Sequence, residues 1–292
     1  MYNIICNPVA GKGKTQKLLA ELTSCLDARR IDYTVFRSES AGHATVLARR
    51  LARESGDGAL ICMGGDGTLH EIIEGIEDFD GLKLGIIACG TGNDFAKTLG
   101  LPVGDIPAAL DVILSGKSRA VDYIQLEDHR AHNVTGMGID ADVLERQRRA
   151  KVFKGKTGYY LSLIRTLFSF KWNRYEVRID GGEPVKHTAM ITAVCNGKYF
   201  GGGMLISPES DPSDGVLNVI IVNRISRLRI PFALMGFFTG KLLSFPFVTQ
   251  YKCERVEFIT DARPVINADG ELIYGKSFSC GVEKGKLNIL VP

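Results

Sequence analysis

Residues 64–68 read Gly64-Gly65-Asp66-Gly67-Thr68 and follow directly on the apolar run 58–63. Three glycines around one aspartate at the exit of a buried strand let a polyphosphate lie against bare backbone. A Cβ there would block the approach, and only glycine takes positive φ freely. Thr68 opens a helical pattern through Leu69, Ile72, Ile73 and Ile76, so the unpaired amides of a first turn would face the phosphates. Asp66 can then hold Mg²⁺, directly or through water, because Mg²⁺ prefers carboxylate oxygen and keeps several waters. The alternative, a tight strand-to-helix turn with no ligand, needs fewer glycines.

Two further glycine-rich loops leave strand ends. Asn7-Pro8-Val9-Ala10-Gly11-Lys12-Gly13-Lys14 resembles a phosphate-binding loop at its end, but Pro8 stands where GxxxxGK[ST] needs glycine. Gln16 likewise takes the place of the third glycine of a dinucleotide fingerprint. What remains is a flexible loop with two lysines, able to contact phosphate or adenine or simply to face solvent. In Gly90-Thr91-Gly92-Asn93-Asp94, Thr91 offers a hydroxyl, and Asn93 and Asp94 offer polar contacts to phosphate or to an acceptor. Asp94 could equally cap a helix through Ala96 and Leu99.

The second half supplies carboxylates. Asn267-Ala268-Asp269-Gly270-Glu271 is a short acidic turn between apolar runs. A phosphoryl transfer needs one carboxylate beside the attacking hydroxyl to take its proton, and Asp269 or Glu271 could serve if the turn faces the glycine loops. Asp211 and Asp214, in the acidic loop 209–215, are spaced to meet one hard cation with a backbone carbonyl or to form a solvated turn. Arg146, Arg148, Arg149, Lys151, Lys154 and Lys156 form a basic run, and Phe232, Phe237, Phe238, Phe245 and Phe247 cluster near Arg227, Arg229 and Lys241. Both suit the surface of an anionic bilayer, where each such charge contributes about 1 kcal/mol. The phenylalanines suit a core wall equally well.

These groups need a scaffold. At 292 residues, 45% hydrophobic and 24% charged, the chain is long enough for two domains with cores of their own. A net charge of +3 without a basic-aromatic array excludes nucleic acid as the expected partner. The seven cysteines show no CxxC, and residues 1–4 carry no cationic leader; both point to a reducing cytoplasm. The apolar stretch 230–240 is interrupted by Pro231 and too short to span a bilayer. Strands at 2–7, 31–37, 58–63 and 82–88 alternate with amphipathic helices, Leu18, Leu19, Leu22 and Leu26 marking the first. That alternation predicts a Rossmann-like three-layer α/β domain with a parallel sheet covered on both faces. Beyond residue 122, short alternating runs, a Gly181-Gly182 turn and helical patterns only at 158–168 and 226–243 predict a β-rich sandwich. The expected domains are 1–122 and 123–285.

In this combination and order, Asn7-Pro8 with Gly11, GGDGTLHE at 64–71, GTGNDFA at 90–96, SDPSDG at 210–215 and ADGE at 268–271 resemble the diacylglycerol kinase catalytic-domain family. The likeness lies with its bacterial lipid-kinase branch, related to sphingosine and ceramide kinases, and covers nearly the whole chain. GGDGT alone is shared with NAD kinases and phosphofructokinases. The resemblance implies ATP in a cleft between the two domains and a strand at about 286–292 returning to the first. It implies nucleotide contacts from Asn7, Ala10, Gly11, Lys12, Gly13, Lys14, Ser38, Gly64, Gly65, Asp66, Gly67, Thr68, Thr91 and Asn93. It implies a structural Mg²⁺ on Asp211, Asp214 and the carbonyl of Val216, and a general base in the 269–271 turn. Ser38 stands where threonine is frequent, His70 where asparagine is usual, Ala88 where proline is common and His43 where an acid is frequent.

The reading is an ATP- and Mg²⁺-dependent kinase acting on diacylglycerol or a similar amphipathic lipid, in the cytoplasm or at the inner face of the cell membrane. A homodimer is neither called for nor excluded. An NAD kinase and a nucleotide-binding sensor without turnover are the alternatives; the GTGNDFA segment and the late acidic turn weigh against them.

Overall fold

The computed structural model describes residues 1–55, 58–149, 172–275 and 278–292. Up to Ser115, strands and helices alternate: β1 (Tyr2–Cys6), α1 (Lys14–Ala28), β2 (Tyr33–Arg37), α2 (His43–Ser55), β3 (Ala59–Gly64), α3 (Asp66–Gly75), β4 (Lys83–Ala88), α4 (Asp94–Thr98) and α5 (Ile106–Ser115). Strand then dominates: β5 (Ser118–Leu126), β6 (His129–Ala131), β7 (Val134–Gly138), α6 (Ile139–Arg149), β8 (Asn173–Ile179), β9 (Val185–Cys195), β10 (Tyr199–Phe200), β11 (Met204–Leu205) and β12 (Leu217–Asn223). After α7 (Ile230–Thr239) come β13 (Val248–Cys253), β14 (Arg255–Ile259), β15 (Val265–Ala268), β16 (Glu271–Tyr274) and β17 (Phe278–Leu290).

The first strands pair in parallel in the order β2-β1-β3-β4. All but the first residue of β3 and of β4 are buried, which continuous apolar runs permit only when helices cover both faces. Leu47, Leu51, Ile72 and Ile73 of α2 and α3 pack on one face; Leu19, Leu22, Leu110 and Ile113 of α1 and α5 pack on the other. The carboxyl ends of the strands therefore share one edge, and the glycine-rich loops leave from it.

β17 stitches the halves together. It pairs antiparallel with β14 at its start and with β5 over most of its length, then parallel with β4 through Asn288 and Ile289. The remaining strands are antiparallel, and β12 shows how they build a sandwich. Leu217, Val219 and Ile221 enter one core with Phe258 and Phe278, while Ile220 and Val222 enter another with Phe237 and Leu242. Side chains that alternate across a strand serve both sides at once.

Several local readings are refined. α3 starts at Asp66 rather than Thr68, so the aspartate itself lies in the first turn. Asp180 and Gly181 both take positive φ, 46° and 74°, in a tight turn that the Gly182 amide closes onto the Ile179 carbonyl, within the connection 180–184 from β8 to β9. The 226–243 pattern divides into a turn at Arg227–Arg229, α7, and a turn at Leu242–Ser244. The side chains of Arg146, Arg148, Arg149, Lys151, Lys154 and Lys156, and the helix expected at 158–168, lie outside the described residues. Among the described residues, no helix is long and apolar enough to cross a membrane.

Candidate active site

Three loops press together at the carboxyl edge of the sheet. Gly11, Lys12 and Gly13 are consecutive left-handed residues, with φ of 57°, 60° and 84°. A Cβ on Gly11 would also strike the Cys89 carbonyl oxygen, so the first loop lies directly on the third. The reason for glycine at 64–67 differs from the sequence expectation. None of these residues has positive φ; Gly65 is extended at φ −110° and ψ −170°. Close packing is the cause: a Cβ on Gly65 would lie 2.9 Å from Gly90 Cα, and one on Gly64 would meet the Thr68 side chain. Gly67 alone of the cluster borders open space.

The expected nucleotide-contacting residues converge on this edge in two sets. Lys12, Gly13, Lys14, Gly67 and Thr91 are exposed. Asn7, Ser38, Thr68 and Asn93 hold the loops. Asn7 Nδ2 donates to Thr68 Oγ1 at 3.0 Å, and Asn7 Oδ1 accepts from the Val9 amide at 3.1 Å. The Ser38 amide donates to the Cys6 carbonyl at 2.9 Å. Asn93, left-handed at φ 53°, donates from Nδ2 to the Gly90 carbonyl at 3.0 Å. Ala10 accepts from the Thr15 hydroxyl, which closes the loop onto α1.

Asp66 Oδ1 accepts from the Phe95 amide at 3.2 Å, locking α3 to α4, and a Cβ on Gly92 would sit 2.9 Å from Asp66 Oδ2. Asp94 does not cap α4, because Asn93 occupies that position. Asp94 reaches the other domain instead: its Oδ2 accepts from the Gly202 amide at 2.8 Å, and Lys97 Nζ lies 3.4 Å from its Oδ1. Burial pushes the Asp94 carboxyl up and the Asp66 charge adds to it, against the pull of the Gly202 amide and Lys97.

Both aspartates border a cavity of about 540 Å³ between the two halves. Its polar end carries Asp66, Gly92, Asp94, Asn133, Asp269 and Gly270. Its apolar wall includes Ile139, Val143, Ile191, Phe200, Leu234 and Phe237. A space lined in this way has room for a ligand with both polar and apolar parts.

Asn267, Asp269 and Gly270 of the acidic turn line this cleft and Glu271 does not, so the two carboxylates have different surroundings. Asp269 is 1% exposed in its side chain. Its Oδ1 accepts from the Asn133 and Val134 amides at 3.2 and 2.9 Å, and its Oδ2 from the His132 amide at 2.6 Å. His132 Nδ1 lies 2.8 Å from Asp269 Oδ2, and His70 Nδ1 3.6 Å from it. Burial favours the neutral acid, but the neighbouring His132 and His70 rings outweigh it and hold the carboxyl far below its usual range. An anion so fully engaged is a poor proton acceptor. Glu271, one residue past Gly270, is exposed, and its charge helps raise the pKa of His70. Asp269 and Gly270 take positive φ, 50° and 97°, and this tight turn puts the two carboxylates in different environments.

The 209–215 loop closes on itself: Asp211 Oδ1 accepts from the Ser213 amide and Asp214 Oδ1 from the Val216 amide, both at 3.1 Å. Arg119 pairs with Asp211. Beneath them the buried Asp122 accepts from the Gly215 and Gly285 amides. Burial pushes the Asp122 carboxyl up and the charges of Asp214 and Asp211 add to it, although the two amides oppose the shift.

Asp122, His132 and the apolar wall are absent from the sequence reading. His132 and Asp122 lie in no motif with chemical spacing. The wall residues named above come from four separate elements, so no local period marks it. The phenylalanines divide: Phe237 is buried, Phe245 and Phe247 are partly buried, and Phe232 and Phe238 are 67% and 71% exposed.

Residues 1–126 match the family model described as diacylglycerol kinase catalytic domain, and residues 133–291 match that of the YegS C-terminal NAD kinase beta sandwich-like domain. A diacylglycerol kinase of Bacillus subtilis (strain 168) is 27% identical over 270 residues, covering 92% of this chain and 88% of its own. A diacylglycerol kinase of Staphylococcus aureus (strain MRSA252) is 29% identical over 270 residues, covering 92% and 85%. A crystal structure from Bacillus anthracis str. Sterne, provisionally named a diacylglycerol kinase, superposes with a TM-score of 0.80 at 26% identity, over 100% of this chain and 96% of that one. An NAD kinase from Archaeoglobus fulgidus, solved in complex with ATP, shares the fold with a TM-score of 0.55 at 14% identity, over 100% and 93%.

Proposed function

The chain belongs to the family in which a diacylglycerol kinase catalytic domain is followed by a YegS C-terminal NAD kinase beta sandwich-like domain, and is a phosphotransferase; from that premise we propose that it moves the γ-phosphoryl group of ATP to the hydroxyl of an amphipathic lipid, diacylglycerol above all. One observation carries this reading. A single cavity is lined by Asp66 and Asp94 of the glycine loops, by Asp269 and Gly270 of the acidic turn and by an apolar wall. An NAD acceptor would bring polar ribose and phosphate to that wall, so the lipid is favoured.

The triphosphate is assigned to the first-turn amides of α3 and to the 11–14 loop, with exposed Lys12 and Lys14 neutralising charge and Thr91 and Ser38 at the flanks. Asp66 suits Mg²⁺: one oxygen is fixed by the Phe95 amide and the other faces Gly92 at the cavity. When bound, the ion would neutralise charge on the phosphate oxygens. A second, structural Mg²⁺ is assigned to Asp211, Asp214 and the Val216 carbonyl.

Glu271 is assigned as the general base and Asp269 as the carboxylate that holds its turn. The lipid oxygen attacks the γ-phosphorus, its proton passes to Glu271, and the bond to the β-phosphate oxygen breaks to release ADP. The acyl part lies along Ile139, Val143, Leu234 and Phe237.

Access from a bilayer is assigned to α7 and the turn before it. Leu228, Phe232, Met235 and Phe238 are 85%, 67%, 60% and 71% exposed, flanked by exposed Arg227, Arg229 and Lys241. Phe238 also lines the cavity, so this apolar surface is continuous with the lipid pocket. The seven free cysteines suit a cytoplasmic setting.

The deciding experiment is mass spectrometry of phosphorylated products from a total lipid extract incubated with ATP and Mg²⁺, with Asp66→Ala as control. New phosphatidic acid in the wild-type sample alone supports the reading. No new phospholipid, or phosphorylated NAD in a parallel reaction, overturns it.

A further inference from the structure

We propose that His70 and His132 are positioning residues: together they clasp Asp269 across the domain boundary and thereby set where Glu271 stands. The inference rests on the assignment of Glu271 as the base.

The three side chains come from three parts of the chain. His70 is on α3 of the first domain, His132 in the connection between β6 and β7, and Asp269 on the turn between β15 and β16. Nδ1 of each ring lies near one oxygen, Asp269 Oδ2, at 3.6 Å for His70 and 2.8 Å for His132. His132 is fully buried, and neither of its ring nitrogens makes a hydrogen bond of good geometry among the described residues, so its side-chain tie to Asp269 is one of proximity. Its ring stands edge-on to Phe95 at 4.8 Å. The Phe95 amide is the group that fixes Asp66. A chain of contacts thus runs from Asp66 through Phe95 and His132 to Asp269, and Glu271 follows two residues on.

An apolar residue at 70 would leave a carboxylate at the boundary without its partner from the first domain. An asparagine, usual at this place in the resembled family, would lend a hydrogen bond without charge. The imidazole adds a charge that Asp269 needs. Asp269, Glu74 and Glu271 face His70, from the 269–271 turn, from its own helix and from β16; His132 faces Asp269 from the far side. Burial of the His70 ring disfavours its charge, yet the hydrogen bond and charge of Asp269, with Glu74 and Glu271, outweigh burial and raise its pKa. The raised pKa carries the charged form of the ring to higher pH than in a free imidazole, and the charge is lost as pH rises through that value. The clasp then weakens and the base drifts from the hydroxyl, while the triphosphate loops are untouched.

The test pairs kinetics with histidine NMR on the full chain. kcat and KM for ATP are measured with micellar diacylglycerol from pH 6 to pH 9.5, for wild type, His70→Asn and His70→Gln. The expected wild-type kcat falls on the alkaline side with an apparent pKa above 6.5. Both variants lose that limb, with kcat reduced about 10- to 100-fold at pH 7, as a displaced catalytic group implies. Their KM for ATP stays within about twofold of wild type. In wild type, the His70 ring signal, assigned by its loss in His70→Asn, titrates above pH 6.5. A scaffold residue would lower stability without removing a pH limb. Wild-type kcat and pH profile in both variants, or a His70 ring that titrates at or below 6.5, overturns the clasp. A wild-type enzyme that phosphorylates no lipid overturns the proposed function instead, and the NMR titration then decides the clasp alone. If the variants do not fold, the wild-type ring titration, with assignment by selective labelling, decides it.

Discussion

Asp269 and Glu271 are separated by a single glycine, yet Asp269 is buried and accepts three backbone hydrogen bonds while Glu271 faces solvent. The two carboxylates therefore answer differently to mutation.

Glu271→Gln should leave the melting temperature within about 1 °C of wild type, since exposed substitutions rarely change stability by more than about 0.5 kcal/mol. Lipid phosphorylation should fall roughly 10²- to 10⁴-fold, the usual effect of losing a general base. A radiolabelled-phosphate transfer assay beside a thermal melt checks both. Undiminished turnover would remove Glu271 from the chemistry.

Asp269→Ala should act first on folding. Two histidine rings and three amides would lose their common acceptor, and breaking a buried ion pair costs about 3–5 kcal/mol. Urea titration measures it. The pH dependence has a defined sign. The folded-state pKa of Asp269 lies below its unfolded value of about 3.9, so its stabilisation is complete above that pH and is lost as pH falls toward the folded-state pKa. The stability gap between wild type and Asp269→Ala should therefore narrow below pH 4.

Gly65→Ala should drive a methyl group into Gly90, where the contact is backbone on backbone. Overpacking of this kind costs about 1–3 kcal/mol and would part the second and third loops. Nucleotide affinity, read by isothermal titration with ATP, should fall. Gly67→Ala meets open space and should keep the wild-type melting temperature.

Leu228→Ser with Phe232→Ser should reduce flotation with vesicles containing phosphatidylglycerol and slow phosphorylation of vesicle-borne lipid. The same variant should act normally on detergent-solubilised acceptor. Both side chains are largely exposed, so the fold loses little packing. Equal flotation of variant and wild type would assign membrane contact to another surface.

Much of this protein was legible as sequence because much of it is local. Leu18, Leu19, Leu22 and Leu26 at helical spacing mark the buried stripe of α1, and glycine-rich loops after three apolar runs mark one sheet edge. A period of 3.6 or 2 is a property of neighbouring residues, so the α/β domain and the strand-rich second half follow from the chain alone. The glycines of 64–68 were found for this reason, although their cause was not: a steric limit set by Gly90, 25 residues away, leaves no local trace.

Only the tertiary structure separated Asp269 from Glu271, turned Asp94 from a cap into a bridge to Gly202, and brought His70 and His132 to one carboxylate. It also divided the phenylalanines between a cavity wall and an exposed helix face. Burial and electrostatic surroundings depend on which distant segments meet, and two carboxylates one glycine apart acquire opposite surroundings from segments that no spacing in the chain specifies.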